Sequence, residues 1–430
     1  MNIARRAEQK KKKRRASQGL LTGAIMLFLA AGFALLFIRE PKWETMVMLL
    51  AVPAAVWAVN TILPRLFPMD RLLLGLITFL CSLGILLQYR YSPTRGMTQC
   101  FNVGAGLVAM IACALAVRHI KSWKLLLLPM LGVSCLMLAL PFVFRAANAN
   151  KGATAWVGFG RFSMQPSELV KILYLFVMAY LLSRRKVVLA LGFAGLMLAF
   201  LVAQRDLGTA AIYGGTALVM VYAATSSVLL IGCILGAGVG AVSVVYALFQ
   251  NTFFKTVQNR INNWLDPFAT YDQLGGGYQI VQGLIAMTNG GWWGTGLGLG
   301  NASVIPEFST DFIFACLVNE FGFLFAGLVL AVYVLIVLRS ADVALRASSA
   351  FHALLALGCA GLLAVQTFII IGGVTKFIPM TGVTVPFLSY GGTSLVSCMG
   401  IMGVVQGVAS RNERVFQEDQ RLAAGEEGAR

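Results

Sequence analysis

The chain has 430 residues, 58% of them hydrophobic and only 12% charged, with a net charge of +17. Soluble domains carry about a quarter charged residues, so no soluble fold hides this much apolar surface, and a soluble nucleic-acid-binding domain is excluded with it. Apolar blocks about twenty residues long match the thickness of the hydrocarbon layer and define an all-α polytopic membrane protein.

Arg5, Arg6, Lys10 to Lys13, Arg14 and Arg15 crowd residues 1–17, ahead of the first apolar block. By the positive-inside rule this tail stays in the cytoplasm, resting on anionic membrane lipid rather than on nucleic acid. The first block is too long for a secretory signal and no small-residue cleavage site follows it, so it reads as a retained anchor. Blocks with few or no charges predict about twelve spans, near 18–38, 44–64, 70–89, 99–118, 124–143, 168–183, 187–204, 208–225, 228–249, 311–338, 350–374 and 390–409. This count puts Arg118, Arg184/Arg185/Lys186 and Arg339/Arg346 on the cytoplasmic side and returns the tail 410–430 there.

Two outer connections are long: about 145–167, and 250–310. Loops of that length are usually functional or disordered, and the Gly, Trp, Tyr and aliphatic content of the second argues for order. Its piece Tyr278 to Met287 has the mixed character of a helix at the interface. The run Gly290 to Gly300 lacks the strand and helix context of a phosphate loop and reads instead as a tight turn bearing interfacial Trp292 and Trp293.

The eight cysteines are scattered singly, and His119 and His352 have no second ligand nearby, so neither a zinc site nor a Ser-His-Asp triad is expected. Chemistry falls to carboxylates, Lys/Arg and backbone groups, because charges at membrane depth are costly and mark functional positions. Glu168 and Lys171 form an i,i+3 pair suited to an internal ion bridge. Asp206 stands where a helix N-cap is needed, with Arg205 beside it. Asp311 opens the span after the long loop. There it serves either as an N-cap or, by losing hydration at the hydrocarbon edge, as a carboxylate whose pKa is raised toward that of a general base. Glu320 lies deeper on the opposite helix face, where it locks neighbouring helices. Prolines and glycines from Pro379 to Ser394 predict a broken, re-entrant backbone, which needs burial by protein or a wet cavity; Lys376 offers a cation there.

Gly152-Ala153 with Trp156, Gln165-Pro166-Ser167-Glu168 with Lys171, Asp206-Leu207-Gly208-Thr209, Gly277-Tyr278-Gln279 with Gln282, Pro306-Glu307 with Thr310 to Phe314, and Pro386 to Gly392 together resemble the SEDS family of FtsW, RodA and SpoVE, in the family's order, across about residues 70–409. The resemblance implies a peptidoglycan glycosyltransferase that polymerises lipid II at the outer face of the bacterial plasma membrane, with both termini cytoplasmic. It implies a core of about ten spans over 65–409, so 18–64 is a two-helix N-terminal addition. It assigns Asp311 as the general base acting on the acceptor sugar. Lys171, Arg205, Arg260 and Lys376 are the cations for the diphosphate, Glu307 and Ser389 further substrate contacts, and Gln165, Glu168, Asp206 and Glu320 supports. A divalent cation, Mg or Mn, is the other source of positive charge, although no ligand cluster demands one. The implied partners are lipid II, the lipid-linked glycan strand, membrane lipids and a class B penicillin-binding protein. The chain departs from the family pattern at Ala155, where Arg is usual and Lys151 or Arg161 would have to compensate, and at Ser309, Asn319 and Ile370. A lipid II flippase and a non-catalytic scaffold are the competing functions; the clustering of distinctive residues on one face and the lack of an internal repeat favour the enzyme.

Overall fold

The computed structural model describes residues 2–120, 122–144, 155–159, 162–249, 254–271 and 276–428. In chain order the helices are α1 (Asn2–Arg39), α2 (Trp43–Leu66), α3 (Arg71–Tyr91), α4 (Pro93–His119), α5 (Leu127–Val143), α6 (Pro166–Ser183), α7 (Val187–Ala203), α8 (Leu207–Thr225), α9 (Val228–Phe249), α10 (Phe254–Leu265), α11 (Gly276–Gly290), α12 (Ile313–Leu345), α13 (Ala350–Val374) and α14 (Gly392–Gly428). Two three-residue strands, β1 (Val157–Phe159) and β2 (Phe162–Met164), form an antiparallel hairpin before α6. Among the described residues, nine helices are long and apolar enough to cross a membrane, and α5, α7 and the first part of α9 are shorter apolar helices. The chain is an integral, multi-pass membrane protein.

Local chemistry sets the helix boundaries. The Asp70, Asp206 and Ser349 side chains accept the N–H of the residue three positions on, capping α3, α8 and α13. Pro93 and Pro166 stand in the first turns of α4 and α6, where a missing N–H is harmless. α3, α6, α13 and α14 supply most of the buried interior. α14 lies close along α4, because a Cβ placed on Gly403 or Gly407 would come within 2.2 Å of the Met110 carbonyl or 2.7 Å of the Ala114 carbonyl. Such small-xxx-small spacing is how membrane helices approach closely. α1 and α2 pack on α3 through a separate apolar cluster of Leu29, Phe33, Val52, Leu86 and Tyr89.

The bundle has two polar faces. On one, Arg339 pairs with Asp70 and Asp342, and the Gln406 amide bonds both the N–H and the carbonyl of Asp70. α3 runs from there to the other face, where its last turn meets Ser309 and Gly300. The second face carries Asp311, the start of α8 and the segment 375–391 between α13 and α14.

The observed elements differ from the expected spans at several points, α1 starting at Asn2 among them. α14 continues well past residue 409, drawing the polar tail into the helix. α10 and the β1–β2 hairpin have no counterpart in the apolar pattern, since neither crosses the bundle. α12 is broken at Gly322, whose φ of 80° and ψ of 170° are not helical. The glycine-rich run splices this break. Phe323 and Leu324 donate their N–H groups to the Gly291 and Trp292 carbonyls, while Thr295 and Gly296 donate to those of Asn319 and Glu320. Gly294 and Gly322 touch, backbone against backbone: a Cβ on either would lie 2.2–2.3 Å from a carbonyl oxygen of the other strand. Hydrogen bonds lost by breaking a helix inside a membrane are thereby replaced, and Trp292 and Trp293 remain exposed.

Candidate functional site

The site is built from two irregular segments that hold one another. In the turn before α12, the Glu307 carbonyl accepts the N–H groups of Thr310, Asp311 and Phe312, with Glu307 at a φ of 54°. The N-cap of α12 is Phe312, and no side chain caps it; Phe312 itself is sealed against Gly283 of α11. Asp311 therefore stands one residue before the helix cap, half-buried at its mouth.

Segment 375–391 closes on this turn. The Ser389 hydroxyl donates to the Thr310 carbonyl and accepts the Val385 N–H, and the Tyr390 N–H bonds the Ser309 carbonyl. Amide side chains fix the remaining carbonyls: Gln88 donates to Ser309, Gln99 to Ser389, Gln366 to Thr384 and Gln279 to Pro306. This assembly places Gly382, at a φ of 72°, so that a Cβ there would be 3.4 Å from Asp311 Oδ2. Glycine adopts that backbone readily, and it brings the segment's main chain up to the carboxylate.

Cations reach the same face by different routes. Arg260 of α10 donates to the Thr381 carbonyl at 3.2 Å, and Trp264 donates to that of Lys376 at 3.0 Å, so α10 is docked along the segment. Lys376 is half-buried and Arg205 exposed, both at a φ of 60°. Gly208, three residues beyond Arg205, abuts the Thr381 carbonyl. Arg95 lies over the Phe308 ring at 5.1 Å, a cation at this face that the apolar pattern does not reveal. Glu307 is exposed, and its carboxylate lies 3.4 Å from the Thr310 hydroxyl.

Lys171 is placed elsewhere. It is fully buried, and its ammonium donates to both Glu168 oxygens at 2.8 Å and to Gln366 Oε1 at 3.1 Å. These three bonds use all its donors, so Lys171 meets the site only through Gln366, whose amide holds Thr384. Asp206 caps α8 and accepts from Gln165 at 2.8 Å. Glu320 accepts the Gly298 N–H at 2.8 Å and pairs with Arg90 at 3.0 Å, joining α12 to the glycine loop and to α3. Arg39 of α1 also donates to Gly298.

Asn319 bonds the Ala286 carbonyl, and Ala155 and Ile370 are buried. Lys151, Gly152, Ala153 and Arg161 lie outside the described residues. Among the described residues no three His, Cys, Asp or Glu side chains gather as a metal-binding group. Gln88, Gln99, Gln366 and Arg95 are the contributors that sequence reasoning missed. Gln366 is the solitary amide of an apolar helix, which is the signal that would have found it.

Fold and site together define a multi-pass membrane protein with a half-buried carboxylate at one end of its bundle, on the face that also carries Arg205, Arg260 and Lys376. The chain belongs to the FtsW/RodA/SpoVE family, described as cell cycle proteins, which matches residues 65–414. It is 34% identical over 365 residues to a probable peptidoglycan glycosyltransferase FtsW of Geobacter metallireducens, covering 80% of this chain and 95% of that one. It is 32% identical to the peptidoglycan glycosyltransferase RodA of Mycobacterium bovis, covering 82% and 80%, and 33% identical to the stage V sporulation protein E of Bacillus subtilis, covering 79% and 93%. Its fold is similar to a chain from a peptidoglycan synthase complex that coordinates polymerization and crosslinking, with a TM-score of 0.64, 24% identity and coverage of 80% and 98%. The rod shape determining protein RodA of Thermus thermophilus aligns with a TM-score of 0.57, 24% identity and the same coverage. α1 and α2 precede the matched region.

Proposed function

We propose that this protein is a peptidoglycan glycosyltransferase that polymerises lipid II at the outer face of the bacterial plasma membrane, with Asp311 as general base. The supporting observation is the position of Asp311, half-buried ahead of the α12 cap and beside Gly382 of the segment between α13 and α14. The carboxylate takes the proton of the acceptor's GlcNAc 4-hydroxyl. The resulting oxygen attacks the anomeric carbon of the lipid-linked strand, the bond from that carbon to the diphosphate oxygen breaks, and polyprenyl diphosphate leaves. Arg205, Arg260 and Lys376 oppose the charge that grows on the diphosphate; a divalent cation, Mg or Mn, would add positive charge there if bound.

The basic N-terminal tail lies at the Asp70 end of α1, which on this reading is cytoplasmic, with residue 414 onward on the same side. The crosslinking partner is a class B penicillin-binding protein. Lys171 acts through Gln366 and the backbone of the segment rather than by touching substrate.

Asp311→Asn tests the assignment, since it keeps the shape and removes the base. With purified lipid II, strand formation is expected to fall by about 10²–10⁴-fold, with the melting temperature and partner copurification unchanged. A variant that polymerises at the parent rate removes Asp311 from the mechanism.

A further inference from the structure

On the face opposite Asp311 the structure contains a second built site. A cavity of about 240 Å³ is lined by Pro68, Arg118, Ser410, Glu413, Arg414 and Gln417, with Glu418 at its edge. It adjoins a narrow, mainly apolar space lined by Phe67, Met69, Ile111, Ala114, Leu115 and Gln406, and the two share Pro68, Arg118 and Ser410. Ser410 is 6% exposed, and neither its hydroxyl nor the Nε of Arg118 has a hydrogen-bond partner among the described residues. Such buried donors are normally satisfied, and one left unmet is destabilising. The position is the membrane boundary: Pro68 lies in the turn between two spans, Arg118 in the last turn of α4, and Ser410 where α14 leaves its apolar stretch.

A polar cavity continuous with an apolar furrow running up α4 fits an amphiphile. The lining carries both signs, because Arg118 and Arg414 face the same space as Glu413 and Glu418, and none of the four forms an ion pair among the described residues. A purely anionic headgroup would meet two carboxylates there. A phosphate joined to a primary ammonium matches both: the phosphate accepts from Arg118, Arg414 and Ser410, and the ammonium donates to Glu413 and Glu418. A quaternary amine has no N–H to donate. We propose that this is a binding site for an aminophospholipid of the phosphatidylethanolamine class, its headgroup in the cavity and an acyl chain along Ile111 and Leu115.

The test uses the full chain, delipidated in detergent and offered equal amounts of phosphatidylethanolamine, phosphatidylglycerol and phosphatidylcholine with identical acyl chains, retained lipid being read by native mass spectrometry. Partly exposed ion pairs support a preference for phosphatidylethanolamine of about two- to fivefold. Arg118→Gln is expected to lower retention of all three lipids, and Glu413→Gln/Glu418→Gln to remove the preference while phosphatidylglycerol still binds. Should Arg118→Gln fold poorly, the exposed Arg414→Gln reads the same phosphate end. Phosphatidylglycerol retained above phosphatidylethanolamine, a preference that survives loss of both glutamates, or retention unchanged in well-folded arginine variants would each overturn the proposal.

Discussion

Replacing Lys171 with methionine isolates a buried carboxylate. The three Lys171 bonds, two to Glu168 and one to Gln366, lie at 2.8–3.1 Å, and neither charged residue is more than 2% exposed. Methionine keeps the apolar stem, so the change is chiefly the loss of the counter-charge, which for a buried pair costs about 3–5 kcal/mol. Glu168→Gln/Lys171→Met removes both charges and is expected to recover most of that loss, giving a coupling energy of about 2–3 kcal/mol. Unfolding of the four proteins in detergent measures it, and polymerisation of lipid II by the same preparations separates two roles for the lysine. A double variant that is stable and active fits a support acting through Gln366; one that is stable yet inactive would make Lys171 a substrate contact. If Lys171→Met unfolds with the parent and shows no coupling, the pair does not hold the helices and the argument fails.

Gly382→Ala puts a side chain where φ is 72° and 3.4 Å from the Asp311 carboxylate; a cost of about 1–2 kcal/mol and a drop in polymerisation rate larger than any loss of stability are expected, read by kinetics beside a melting curve. Gly322→Ala meets the Trp292 carbonyl at 2.3 Å, so the splice of α12 should not form, and limited proteolysis around 290–300 should speed up markedly. Ser389→Ala leaves the Val385 N–H and the Thr310 carbonyl without the hydroxyl that joins them. A loss of about 1–3 kcal/mol is expected, with Ser389→Thr recovering part of it in thermal unfolding.

The crossing helices were legible because apolar length is a signal carried by each segment alone. Most predicted edges fall within a few residues of the observed ones, and α11 was readable from the mixed character of Tyr278 to Met287. The apolar block at 99–118 begins six residues after the start of α4 at Pro93, since Arg95 before the block and Gln99 at its edge join the second polar face. The break at Gly322 was invisible, because the residues around it are as apolar as any continuous helix and the cause is a loop some thirty residues upstream. The same holds at the site. The broken character of 379–394 could be read from its prolines and glycines, whereas its attachment to Ser309 and Thr310 depends on hydrogen bonds between segments far apart in the chain.

Neutral amides do much of the fastening of the loops around Asp311: Gln88, Gln99, Gln279 and Gln366 each grip a main-chain oxygen. What they recognise is the path of the chain and not the identity of the residues along it. Away from Gly382 and Ser389, loop length should therefore matter more than loop composition, and deleting one residue between 379 and 389 should be more harmful than substituting several of the others.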